Sequence, residues 1–182
     1  MNFLDAIEGA AWGGFSLYEG INCVEAAWEL SGLEGGSPDL DQRVTQVKQR
    51  IAVSGAGATG FATYTLLWAN RVKWIALGAL TPFIGAIGYG SRIFLSGFSV
   101  WEACAQLDFE ALKKAEHEQI EILLKLIEHV AFLAWAFFAL LALMVGPVLL
   151  PVVEITMLLS LLLLLVEMSY RQFIKPQVPS AT

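Results

Sequence analysis

The chain has 182 residues, of which 57% are hydrophobic and only 15% charged, with a net charge of −6. That length allows one domain, and the charged fraction falls well below the usual quarter of a soluble protein. The charge is uneven: residues 1–41 hold eight acids and no base, while the rest holds nine acids and eleven bases. An acidic head on a mildly basic apolar body argues against nucleic acid as a partner and would be repelled by anionic lipid.

Residues 1–38 read as an acidic amphipathic segment of two short helical pieces joined by glycine. Phe3, Leu4, Ile7, Ala10 and Ala11 fall on one helical face, and Ile21, Val24, Ala27 and Trp28 on another. Ala10-Ala11-Trp12 recurs as Ala26-Ala27-Trp28, too short a match to make a repeat. Asp5 and Glu8 stand where a secretory signal would carry positive charge, so insertion is expected to use internal segments. Gly35-Gly36-Ser37-Pro38 breaks the chain, and Asp39 can cap the next helix.

Residues 39–107 form a glycine-rich apolar region expected to hold two spans. Leu40, Val44, Val47 and Ile51 are spaced for one face of a helix over 40–70. Ile51–Ala69 is long enough for a first span. Trp68, Arg71, Lys73 and Trp74 then make the grouping expected at headgroup depth. Trp74–Ser91 is the second, with Pro82 and four glycines, and Arg92 can snorkel to the far interface.

Residues 108–129 change to a charged helix. Leu112, Ala115, Gln119, Ile122, Leu126 and Val130 form a seam at spacings of three and four. His117, Glu121 and Lys125 recur on another face, which is expected to be exposed and available to a partner.

The most informative stretch is Val130–Val166, 37 consecutive residues with a single charge, Glu154. One span needs about 20 apolar residues. Gly146-Pro147 near the middle and Pro151 just beyond predict a helical hairpin, Val130–Val145 and Val148–Val166, within a unit over 130–168. Residues 169–182 are a polar tail.

The expected fold is therefore all-α, a multi-span helical membrane protein with four spans including the tight C-terminal hairpin. Four spans place nine Lys and Arg on one side against Arg71 and Lys73 on the other, which puts both termini in the cytoplasm. The alternative has two spans, with 51–105 in or on the interface.

Few motifs carry chemistry. Gly55-Ala56-Gly57-Ala58-Thr59-Gly60 matches a dinucleotide fingerprint, but the first acid after it is Glu102, far beyond the ribose-binding position. Close helix packing explains it better: Gly55, Gly57 and Gly60, with Gly85 and Gly90 in the next span, offer the small surfaces that helices in lipid use to approach. Cys23 and Cys104 are isolated, with no zinc spacing. His117 and His129 lie about 18 Å apart along a helix, too far to share one ion. No metal, cofactor or catalytic residue set is expected. Glu154 is the sharpest single residue, since an acid at span depth is costly and raises a transport hypothesis. The duller role is polar glue, protonated and bonded to Thr156 or the chain near Pro151.

The bilobed hairpin, Val130–Val145, Gly146-Pro147 and Val148–Val166, resembles the inclusion membrane proteins of chlamydia-type intracellular bacteria. Trp68–Glu102, with PFIGAIGYGSRIFLSG inside it, is similar to chlamydial membrane proteins as well. The resemblance implies insertion in a host-derived vacuole membrane and cytosol-facing helices that meet host proteins. It carries no catalytic residues. The expected function is protein interaction or membrane organisation, with lipid, further copies of the chain, or other membrane or cytosolic proteins as partners. The alternative is a small transporter or pore subunit using Glu154.

Overall fold

The computed structural model describes residues 3–33, 40–113 and 117–174. The fold is all-α. Among the described residues six α-helices occur in order: α1 Phe3–Ser31, α2 Leu40–Arg71, α3 Thr81–Gln106, α4 Phe109–Lys113, α5 His117–Val145 and α6 Leu150–Ser169. The chain forms two compact units, Met1–Leu95 and Ser96–Thr182. The expected break at Gly35–Pro38 with its Asp39 cap, Lys114, and the tail beyond Ile174 lie outside the described residues.

In the first unit α1 and α2 are an antiparallel pair. Residue numbers of their contacts descend on one helix as they rise on the other: Arg71 pairs with Glu8, Trp12 stacks on Phe61, Ser16 donates to the Ala58 carbonyl, and Arg50 pairs with Glu29. The α1 face on α2 runs Gly9, Trp12, Ser16, Glu19, Cys23 and Ala26, an alternation of three and four that keeps one stripe on its neighbour. This corrects the reading of two short pieces. Glycine inside a helix costs about 1 kcal/mol relative to Ala. Here packing along the whole length of α2 outweighs that local cost, so α1 runs through Gly13, Gly14 and Gly20 without a break.

Helix α2 is continuous, as its periodicity predicts, and ends in a Schellman turn. The Trp74 amide donates to the Ala69 carbonyl at 2.9 Å, and Lys73 takes a left-handed φ of 63°. The Asn70 side chain accepts from the Leu77 amide at 3.0 Å and fixes the exit. Pro82 lies in the first turn of α3, where its missing N–H has no helical partner to lose.

In the second unit α5 and α6 make the expected hairpin. Helix α5 stops at Val145, and Gly146 adopts φ 104°, a conformation L side chains rarely take. A short 3₁₀ turn, Pro147–Leu149, leads into α6, which carries Pro151 in its first turn. Helix α5 buries Glu128, Ala131, Phe132, Ala136 and Ala139, and α6 buries Ser160 and Glu167. The expected seam through Leu126 and Val130 is rotated, because Val130 is exposed and the buried stripe passes through Glu128 and Ala131.

Three described helices are long and apolar enough to cross a membrane: Gly78–Gln106, His117–Val145 and Leu150–Phe173. The expected first span, Ile51–Ala69, lies inside α2 and does not reach that apolarity alone. Its glycines and its serine and threonine hydroxyls dilute it.

Candidate functional site

Two structural features concentrate the polar and small residues. The first is the glycine face of α2, against which α1 and the first half of α3 pack. A Cβ on Gly57 would lie 3.0 Å from Cγ of Glu19, one on Gly60 would lie 3.2 Å from Cβ of Ser91, and one on Gly55 would only touch Cys23 at 3.6 Å. Gly57 and Gly60 thus sit at close approaches. Gly85 is buried, whereas a Cβ on Gly90 would meet open space. Among the described residues Gly90 therefore has no close neighbour.

Two other glycines are the tightest. A Cβ on Gly88 would fall 2.5 Å from the Thr63 hydroxyl, and one on Gly9 would overlap the Trp68 ring. Tyr64 Oη also donates to the Gly88 carbonyl at 3.3 Å. A cavity of about 10 Å³, lined by Gly57, Gly60, Phe61, Tyr64, Arg92 and Leu95, lies at this crossing. Arg92 is half-buried there. Nothing at this face is arranged as a dinucleotide site: Gly55–Gly60 lies inside a continuous helix, not in a strand-to-helix turn.

The second feature joins the start of α5 to the π-helical turn Tyr170–Ile174 that follows α6. His117 Nδ1 meets Tyr170 Oη at 2.6 Å, and their rings lie 6.2 Å apart. Arg171 Nε reaches both Glu121 at 2.9 Å and Glu167 at 2.6 Å. The Glu167 side chain is 7% exposed and that of Glu121 19%, so one guanidinium holds two largely dehydrated carboxylates. The exposed face predicted from His117, Glu121 and Lys125 is corrected accordingly. His117 and Glu121 turn toward α6, and only Lys125 is exposed. Helical spacing placed the three on one side, but the partners of His117 and Glu121 come from some fifty residues downstream.

Gly146 makes the hairpin turn as expected, with its amide bonded to the Ala142 carbonyl at 3.0 Å. Glu154 is exposed on the second turn of α6 and has no ion pair or hydrogen bond among the described residues. It makes no bond to Thr156, whose hydroxyl donates to the Val152 and Val153 carbonyls. Among the described residues no three His, Cys, Asp or Glu side chains are grouped to hold a metal ion.

No family model, no curated protein and no solved structure matches the chain.

Proposed function

We propose that the protein is an integral membrane protein that works through helix association, with itself or with other proteins, and not through catalysis. One observation carries this reading. The apolar windows of the three long helices are only 17%, 28% and 11% buried within the chain. Side chains such as Phe83, Ile87, Phe137, Leu158 and Leu162 are half or more exposed, far more apolar surface than a soluble monomer leaves in water. Lipid and partner helices are the media that accept it. The close glycine approaches at Gly57, Gly60 and Gly88 support the reading, since small residues at such approaches are how helices associate in lipid. The resemblance of the hairpin to inclusion membrane proteins extends the proposal to a host-derived vacuole membrane with cytosolic partners.

Alkaline carbonate extraction of membranes expressing the full chain tests the first part. The protein should stay in the pellet, and release into the supernatant refutes the reading. Cross-linking of the membrane-bound protein tests the second, with discrete oligomers or fixed adducts expected.

The unpaired Glu154 favours a second reading, a small transporter or pore subunit. A carboxylate on an apolar helix, without a partner among the described residues, either reaches an interface or serves a passing ion.

A further inference from the structure

Helices α1 and α2 fall short of a membrane span when each is taken alone, yet as a pair they have the dimensions and surface of one. The ion pairs Glu8–Arg71 and Glu29–Arg50 stand 21 residues apart on both helices. At the helical rise that is about 31 Å, against a hydrocarbon core of about 30 Å. Between the two pairs α2 has no charged residue, and its exposed positions are Ala52, Thr59 and Leu66. The outward face of α1 over the same interval presents Phe15, Leu17, Ile21, Val24 and Trp28, from 52% to 80% exposed. Its only exposed charge there is Glu25, one turn from Glu29 and so close to that end.

Most hydroxyls in this interval are satisfied in the way a medium without water requires, while Ser54 and the exposed Tyr18 of the outer face make no hydrogen bond among the described residues. Thr59 donates to the Gly55 carbonyl, Thr63 to Gly60, Thr65 to Phe61, and Ser16 across to Ala58. Glu19 turns its side chain onto Gly57 of α2, away from the apolar face. Trp68 and Trp74 pack edge to face beside Arg71 and Lys73, aromatic rings next to cations at one end of the pair.

We propose that the α1–α2 hairpin is itself embedded in the bilayer, its two ion pairs marking the two interfaces and the outer face of α1 meeting lipid acyl chains. This rests on the reading of the chain as an integral membrane protein. It adds two spans to the three apolar helices.

Charge supplies an independent argument. With α3, α5 and α6 alone as spans, chain order assigns five Lys and Arg to each side, and positive charge selects no orientation. With α1 and α2 added, Arg43, Lys48 and Arg50 join Lys113, Lys114, Lys125, Arg171 and Lys175 on one side, leaving Arg71 and Lys73 on the other. Eight against two is the asymmetry membrane proteins show, and the eight face the cytoplasm. Residues 1–41 carry no base, so no positive charge holds the start of α1 on that side.

The test uses the full chain in sealed membrane vesicles of both orientations, in a Cys23→Ser, Cys104→Ser background, with a membrane-impermeant maleimide. Ser37→Cys and Lys113→Cys should label from one side, and Asn2→Cys and Lys73→Cys from the other. Leu17→Cys should resist labelling at least tenfold until detergent is added. Labelling of Ser37→Cys and Lys73→Cys from the same side overturns the proposal, as does labelling of Leu17→Cys in intact vesicles at the rate of Ser37→Cys. Carbonate extraction of each variant separates the two readings. Retention with an accessible Leu17 refutes the embedded hairpin alone, and release refutes membrane integration as well.

Discussion

Gly88 lies so closely beneath Thr63 that a methyl group on it would sit 2.5 Å from the threonine hydroxyl. That hydroxyl cannot swing aside freely. It donates to the Gly60 carbonyl at 2.7 Å, and β-branching restricts its χ1. Gly88→Ala should therefore destabilise the purified protein by about 1–3 kcal/mol, the usual cost of overpacking. Gly90→Ala, two residues on, meets open space and should be neutral or stabilising by up to about 1 kcal/mol. Thermal unfolding in detergent reads both. Equal effects at the two glycines would show that α2 and α3 approach each other more loosely than this distance requires.

Arg171 is the shared partner of Glu121 and Glu167. Removing it strands Glu167, whose side chain is nearly dehydrated. Full burial of such a pair would make the loss about 3–5 kcal/mol, and the 43% exposure of Arg171 brings the expectation to about 1–3 kcal/mol. Arg171→Ala should therefore cost more than Glu121→Ala, which leaves the Arg171–Glu167 pair intact. A double-mutant cycle of Arg171 with each acid measures the split. A larger coupling to Glu121 would reverse the assignment.

Lys73 occupies the left-handed position that ends α2, where glycine is the common residue. An L side chain there costs about 1–2 kcal/mol. Lys73→Gly should raise the unfolding midpoint. It also removes a cation beside Trp74, so Lys73→Asn, which tolerates the same conformation, serves as the second measurement. A lowered midpoint in both variants would mean that the lysine side chain contributes more than its backbone conformation costs.

The elements legible from sequence were those governed by local rules. The 3–4 spacing of Leu40, Val44, Val47 and Ile51 marks α2, and Gly146 followed by Pro147 marks the hairpin turn with its φ of 104°. What local rules could not show was pairing at a distance. The glycines of α1 suggest a break, but a continuous partner overrides them. Gly88 and Gly90 look alike in sequence, and only the register of α3 against α2 separates a crowded position from an open one. His117 and Glu121 share a face with Lys125, but nothing near them in the chain announces Tyr170 and Arg171. A usable signal was present: a Tyr-Arg pair just after an apolar helix, opposite a His and a Glu one turn apart at the start of the previous helix.

Glu154 separates the two functional readings. It is exposed and has no ion pair or hydrogen bond among the described residues, so its replacement breaks no contact there. Glu154→Gln keeps the shape and removes the charge. Glu154→Leu also removes the cost of a polar group on an apolar helix, a term of a few kcal/mol at mid-depth and less near an interface. If the protein works through association, both variants should insert and cross-link as the parent does, and Glu154→Leu should be at least as resistant to thermal aggregation in detergent. If Glu154 serves an ion or proton, purified protein in liposomes should carry a flux that Glu154→Gln abolishes without loss of insertion. A Glu154-dependent flux in liposomes would refute the association reading. The absence of flux, together with unchanged cross-linking in both variants, would leave Glu154 as a residue of the lipid interface and the helix faces as the working surface.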